Sequence, residues 1–301
     1  MGNLALLVAC LLLGIALRAS GRLPESAHTT LNAVIVQVAL PALVLLHLHD
    51  ISLTPDIARG VAMAWVMFGM AVVFFVAAGR VLGLNRATVG GLILTAGLAN
   101  TSFVGVPMIE AYFGRHNVGL GLMIDQLGTY LILATLGVYI AARFSGEHFA
   151  PGAIVKKICT FPPLLAVVLA LLLRDVAYPE WVSSLLARLG DLVAPLALLS
   201  VGYQLRLGAF AGNKRTLGLG LVFKLVLAPA VLTILFVNAV DMEAEPMRIA
   251  LFEAAMPPMI GGAIIAAEHK LNPPLLALMV GVGIPLSFLT LPLWREILVF
   301  V

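Results

Sequence analysis

The stretch Leu98-Ala99-Asn100-Thr101-Ser102-Phe103-Val104-Gly105-Val106-Pro107-Met108 decides how this chain is read. It lies inside an apolar block, 87–112, yet carries three adjacent polar residues followed by a glycine and a proline. Proline removes a backbone donor and clashes with the preceding turn, while glycine relaxes the backbone. A helix broken there leaves polar backbone groups deep in an apolar span, where they persist only if protein, water or a ligand satisfies them. The block 246–267 carries a second such stretch, Glu253-Ala254-Ala255-Met256-Pro257-Pro258-Met259-Ile260-Gly261-Gly262. Alone, each proline reads as a kink, and Pro41, Pro195, Pro229 and Pro285 are read that way. The polar cluster, the double proline and the paired placement read instead as two broken helices flanking one binding site.

Outward from these stretches the chain is apolar almost throughout. Of its 301 residues 61% are hydrophobic and 11% charged, with a net charge of +3. A soluble domain carries about 25% charge and could not hide this much apolar surface. Soluble enzymes, nucleic-acid binders and disordered tails are thereby excluded. Ten blocks, at about 3–19, 31–48, 57–82, 87–112, 119–142, 159–173, 182–205, 216–240, 246–267 and 273–294, approach the length of a membrane-crossing helix. The sixth is short and opens on Pro162-Pro163. The first lacks a basic lead-in and is followed by further spans in series, so it reads as a span and not a cleaved leader. Cys10 and Cys159 suggest no disulfide framework.

Alternate loops differ in Lys and Arg content. One side receives Arg18, Arg22, Arg80, Arg86, Arg143, Lys156, Lys157, Arg206, Lys214, Arg215 and Lys270; the other receives Arg59, Arg115, Arg174, Arg188, Arg248 and Arg295. The richer side is expected to be cytoplasmic, which places both termini outside the plasma membrane. The acidic Asp241, Glu243 and Glu245 then also fall outside.

Ten spans divide into two fives. Gln37-Val38-Ala39-Leu40-Pro41 resembles Asp191-Leu192-Val193-Ala194-Pro195 at an offset of 154, and Val106-Pro107-Met108-Ile109 resembles Pro257-Pro258-Met259-Ile260 at 151. Leu122-Met123-Ile124 and Leu278-Met279-Val280 sit early in spans 5 and 10. Five spans per copy force the second copy to enter the membrane from the opposite face, an inverted repeat of the kind transporters use. The expected architecture is all-α, with an N-terminal repeat over 1–142, a cytoplasmic linker over 143–158 and a C-terminal repeat over 159–301.

The motif Asn100-Thr101 with Gly105 and Pro107, together with Leu199-Ser200-Val201-Gly202-Tyr203-Gln204-Leu205-Arg206, Ala255-Met256-Pro257-Pro258 and the run Gly281 to Leu293, resembles the auxin efflux carrier family over essentially the whole chain. The resemblance implies a fold related to the bile-acid sodium symporters, with crossover helices 4 and 9. It implies a scaffold of spans 1, 2, 6 and 7 and a mobile transport domain of spans 3–5 and 8–10. It further implies elevator-type carriage of an organic anion, such as a carboxylate, by a homodimer.

Ionisable residues inside spans are costly and point to function. Glu253 lies one turn before the span 9 break. In the symporters a glutamate there, with a glutamine four residues on, helps bind sodium; here that second position is Pro257, so the motif is half present. Glu253 reads either as the coupling group, through Na+ near Asn100 and Glu253 or a proton on Glu253, or as a structural residue near the helix's outer end. Asp125 and Gln126 either join this site or form a polar pair at a helix end. Lys224 either partners these acids, attracts the substrate or snorkels to the interface. Gln37, Pro41, Asp191 and Pro195 are scaffold positions that either line the path or, for Asp191, lie near the outer surface. His47, His49 and Glu110 read as interfacial. Asn100, Thr101, Ser102, Pro107, Met256, Pro257, Pro258 and Met259 are the expected substrate-binding positions. The half-helices after each break would turn their positive ends toward the anion.

No metal-ligand spacing, nucleophile elbow or nucleotide-binding loop appears, so neither a resident metal, an organic cofactor nor an enzymatic activity is expected. The expected partners are a small organic anion and the lipid bilayer. The leading reading is a secondary transporter of that anion. A cation/proton antiporter of similar broken-helix build, titrating at Glu253 and Asp125, is the alternative, and a membrane sensor that binds a carboxylate without moving it is a third.

Overall fold

A computed structural model describes residues 2–49, 51, 54–146, 152, 158–174, 176–204, 214–240 and 243–301, with side chains from Val8 onward. Most of the linker expected over 143–158, including Lys156 and Lys157, lies outside the described residues, as do Arg206 and Asp241. What is described is helical: α1 (Gly2–Ser20), α2 (Ala27–Leu48), α3 (Pro55–Leu82), α4 (Arg86–Ala96), α5 (Val106–Phe113), α6 (Arg115–Ser145), α7 (Pro162–Leu172), α8 (Glu180–Gln204), α9 (Lys214–Ala239), α10 (Ala244–Ala254), α11 (Ile260–Glu268) and α12 (Pro273–Leu298). Among the described residues the one extended pairing is a bridge between Ala99 and Pro258.

Six of these helices, α2, α3, α6, α8, α9 and α12, are long and apolar enough to cross a membrane, and α1, α4 and α7 are shorter apolar helices. Their outward residues fit lipid better than water. Val73 is 71% exposed, Ile234 66% and Leu289 68%. Apolar side chains displayed along whole helices mark a surface that some other apolar phase covers.

The chain forms two compact units. One comprises Met1–Leu53, Ser102–Leu122 and Lys156–Leu205; the other comprises Thr54–Thr101, Met123–Val155 and Arg206–Val301. In the first, α1 lies along the second half of α8 at backbone contact. A Cβ on Gly14 would fall 2.3 Å from the Leu199 carbonyl oxygen, and one on Gly202 would fall 2.2 Å from that of Leu11. Small residues let membrane helices approach this closely. The Tyr203 hydroxyl, 2.9 Å from the Leu23 carbonyl, ties the same helix to the loop after α1. The second unit packs α3 against α4, α10 and the middle of α6, and α12 against α9, α10 and α11.

Within the helices, prolines act on the turn before them. The segments Ile35–Ala39, Thr101–Gly105 and Phe223–Leu227 are wide, π-type turns, each ending two residues before a proline: Pro41, Pro107 and Pro229. The proline ring displaces the carbonyl four residues back and offers it no N–H, so the turn opens. The wide turns contain Gln37, Thr101, Ser102 and Lys224, and a fourth, Ile124–Tyr130, contains Asp125 and Gln126. In α9 the carbonyl that Pro229 leaves without its helical donor is that of Leu225, and the Trp294 indole donates to it at 2.8 Å. Trp294→Phe keeps an aromatic ring, though a smaller one, and removes the donor from a buried acceptor. It is expected to cost about 1–3 kcal/mol, measured as a lower thermal unfolding midpoint of the detergent-solubilised protein.

Candidate functional site

The site grows from two helix ends in the second unit. Helix α4 stops at Ala96, and Gly97 carries the chain away from it: a Cβ there would sit 2.4 Å from the Ile93 carbonyl oxygen and 2.8 Å from the Ala71 methyl. Helix α10 stops at Ala254, and Pro257-Pro258 prevent its continuation. The two extended stretches then run antiparallel past one another. The Asn100 N–H donates to the Pro257 carbonyl at 2.9 Å, and the Met259 N–H donates to the Thr95 carbonyl at 3.2 Å. Each break therefore meets backbone groups exposed by the other, as buried polar backbone requires.

One exposed carbonyl is met differently. In a continuous helix the Ala254 carbonyl would accept from residue 258, but Pro258 has no N–H. Lys224, from the wide turn of α9, donates its Nζ to that carbonyl at 2.9 Å and lies 3.4 Å from the Met67 sulfur. The lysine thus caps α10 from the side. It does not snorkel, because its side chain is fully buried.

Around this cap is a small polar cluster in which Thr101, Asp125, Gln126, Lys224 and Glu253 are each 1% exposed or less. The Thr101 hydroxyl donates to Asp125, and Gln126 Nε2 donates to the other Asp125 oxygen at 2.6 Å. Asp125 and Lys224 are near enough for their charges to act on Glu253. Both Glu253 carboxyl oxygens lack a hydrogen-bond partner among the described residues. They face a cavity of about 10 Å³, lined also by Thr101, Thr129, Met63 and Met67. Measured as space for a water's centre, that volume holds about one water molecule.

Close packing holds the crossing in place. A Cβ on Gly262, in the first turn of α11, would fall 2.1 Å from the Leu94 carbonyl oxygen. A Cβ on Gly283 of α12 would fall 2.7 Å from the Pro258 ring. Gly262 and Gly283 therefore sit directly behind the break.

Of the expected site residues, Asn100, Thr101, Asp125, Gln126, Lys224, Glu253, Met256, Pro257, Pro258 and Met259 belong to this second unit, and all are buried. Ser102, Pro107, Gln37, Pro41, Asp191 and Pro195 belong to the first unit. There Gln37 is exposed, and Asp191 is a surface residue paired with Arg115 at 2.6 Å. Pro107 does not make the span 4 break. It lies inside α5, and the break precedes it at Gly97–Asn100, where pairing with the span 9 stretch replaces helical bonds. Asp125 and Gln126 are not at a helix end either; they lie in the interior of α6. His49 is buried, with Nε2 2.7 Å from the Val176 carbonyl. The sequence reading did not single out Thr95, Met67, Thr129 or Trp294. Each is an ordinary apolar-span residue whose role depends on a partner distant in sequence.

A chain of lipid-facing helices with two interrupted helices crossing beside buried ionisable groups has the build of a carrier rather than of a receptor or an enzyme. Residues 1–295 match the family model described as "Membrane transport protein", and the chain belongs to that family. This is the match that the auxin efflux carrier resemblance leads one to expect. A protein described as an uncharacterized transporter in Methanothermobacter thermautotrophicus is 26% identical over 294 residues, covering 95% of this chain and 94% of its own length. A second, likewise described, in Methanocaldococcus jannaschii is 23% identical over 292 residues, covering 92% of each chain. The protein is a membrane transporter.

Proposed function

We propose that the chain is a secondary transporter of a small organic anion, a carboxylate, working by elevator-type alternating access and coupled to Na+ or H+ through Glu253. The observation that carries this is the antiparallel pairing of the two breaks beside the start of α11. A helix start leaves its first amides without intrahelical acceptors, here those of Ile260, Gly261 and Gly262, and its positive end suits a carboxylate. Asn100 supplies a side-chain amide donor at the same crossing, and Thr101, whose hydroxyl donates to Asp125, stands beside it.

Helix boundaries support reading the ten segments as two inverted five-span repeats. α4, Arg86–Ala96, and α10, Ala244–Ala254, are offset by 158 residues at both ends. The 151-residue match of Pro107 with Pro258 is displaced from this register, because only Pro258 sits at a break. At the 158-residue offset the counterpart of Glu253 is Thr95, whose hydroxyl bonds back to the Gly91 carbonyl at 2.7 Å. The repeats thus share a backbone plan while the acid belongs to one of them, as a site with a single coupling ion would need.

The buried group of Asp125, Lys224 and Glu253 also supports the second reading, cation–proton exchange without an organic substrate. The experiment that separates them is uptake of a radiolabelled mono- and dicarboxylate panel, and of sodium, into proteoliposomes with and without ion gradients. Anion uptake is expected; sodium–proton exchange with no anion flux would sink the proposal. Asn100→Ala keeps the backbone N–H that pairs with Pro257 and removes only the amide side chain. It is expected to lower anion flux at least ~100-fold, about 2.7 kcal/mol of transition-state stabilisation, with an unchanged unfolding midpoint. Full flux would remove Asn100 from the site. The plasma-membrane location, the outward termini read from the Lys and Arg count and the homodimer implied by the resemblance belong to the same proposal, and cysteine labelling from either face of intact cells reads the topology.

A further inference from the structure

We propose that the coupling ion of this site is a proton carried by Glu253, and that Lys224 is the positioning residue that fills the place a metal cation would take. This rests on reading Glu253 as the coupling carboxylate and names its ion. Among the described residues the cluster holds two acids, Asp125 and Glu253, and one base, Lys224, all buried. An isolated buried charge is strongly disfavoured unless paired. One ammonium offsets one carboxylate, so the second acid requires another positive charge. Asp125 is the acid equipped to be the anion, since it accepts from Thr101 and from Gln126 Nε2. Glu253, with no donor to either oxygen, is the acid equipped to be neutral.

The space beside Glu253 decides which cation completes the balance. A hard cation takes about six oxygens or more, at short range. The cavity has room for about one water. The oxygen-bearing side chains in its lining are Thr101, Thr129 and Glu253, fewer oxygens than such a shell needs, and Gly60, Met63, Ala64, Met67, Ile124 and Ala250 present methyl, methylene and thioether groups. The backbone carbonyl that Pro258 frees, that of Ala254, is already taken by Lys224 Nζ. A proton needs no coordination shell. Among the described residues no other charged group on α10 or the helices packed on it competes for Glu253. On α10 itself these are Glu245, in its first turn, and Arg248, which donates to the Val299 carbonyl at 3.1 Å. On α3 these are Asp56, Arg59 and Arg80, with Asp56 and Arg59 paired with each other at 2.6 Å at the helix start; on α12 they are Arg295 and Glu296, paired at 2.6 Å at its far end; and the described part of α9 after Lys224 carries none.

In the cycle, Glu253 takes a proton from the side to which the site is open and gives it up on the other. When the proton leaves, the Lys224 ammonium is, among the described residues, the cation within reach of the carboxylate. Moving to it releases the Ala254 carbonyl and loosens the span 9 break, so proton loss and crossover geometry are linked through one side chain.

The test uses the full-length purified protein. Infrared difference spectra across a pH titration are expected to show the carbonyl stretch of a protonated carboxyl, present at low pH, lost at high pH and absent in Glu253→Gln. The same band persisting in Glu253→Gln would overturn the proposal. The unfolding midpoint of the wild-type protein is expected to be the same in NaCl and in choline chloride at equal ionic strength, since a ligand that binds the native state raises it. A saturable, sodium-specific rise would overturn the proposal whether or not any variant folds. Uptake of a carboxylate driven by a sodium gradient would defeat this inference while leaving the carrier reading intact. A Glu253 band with no anion flux for any carboxylate would defeat the carrier reading alone.

Discussion

Gly262→Ala is expected to cripple the protein although it adds one methyl group. The added carbon would sit 2.1 Å from the Leu94 carbonyl oxygen, with the Leu94 carbonyl carbon at 3.0 Å. Backbone on both sides leaves nothing to rotate away, so α11 must shift off α4. Overpacking a core costs about 1–3 kcal/mol and sometimes more, and backbone-to-backbone overlap places this change at the upper end. The displacement also falls where the Met259 N–H meets the Thr95 carbonyl, so the crossover opens along with the helix contact. Expected results are a markedly lower unfolding midpoint and loss of anion flux. Two neighbouring controls isolate the cause. Gly261→Ala meets only movable atoms, Leu133 Cδ2 at 3.0 Å and Met259 Cε at 3.5 Å, and should be nearly silent. Gly218→Ala in α9 meets nothing within 4 Å and should stabilise by up to about 1 kcal/mol. Equal effects at Gly262 and Gly261 would mean that helix contact does not hold the crossing.

What the sequence discloses depends on whether a signal is local. Pro257-Pro258 break α10 because of their own chemistry, and that break is legible. So is the membrane character of the chain, which rests on long apolar runs. The span 4 break is displaced from its proline for a non-local reason. Pro107 only widens the turn at Thr101–Gly105, whereas Gly97–Asn100 leaves the helix because a second strand-like stretch is available to pair with it. Nothing within 87–112 announces that partner. Lys224 is a similar case. As a lone base midway along an apolar span it has several readings, and the one realised depends on a carbonyl freed by a proline in another helix. Polar residues at breaks can therefore be nominated from sequence, while the bonds that define their roles appear only once the two breaks cross.

Lys224→Met should be the most damaging single change at the site, and the reason can be divided. Methionine matches the length and fills the space, so packing loss is small. The Ala254 carbonyl becomes a buried acceptor without a donor, worth about 1–3 kcal/mol. The buried acids lose the one ammonium among them, and removing one member of a buried charged pair typically costs about 3–5 kcal/mol. The expected outcome is a protein with little or no flux and a strongly lowered unfolding midpoint in detergent. Adding Asp125→Asn removes the anion that the lysine no longer balances, without changing its shape. If the charges act on each other, the double variant is more stable than the sum of the single effects allows, with a coupling of about 0.5–3 kcal/mol. If Lys224 serves only as a cap on α10, the two losses simply add. Lys224→Arg refines the distinction: a guanidinium keeps the charge but is too broad for a site built around one ammonium and one carbonyl. It should retain part of the stability and little of the flux, whereas a merely electrostatic role would let arginine restore both.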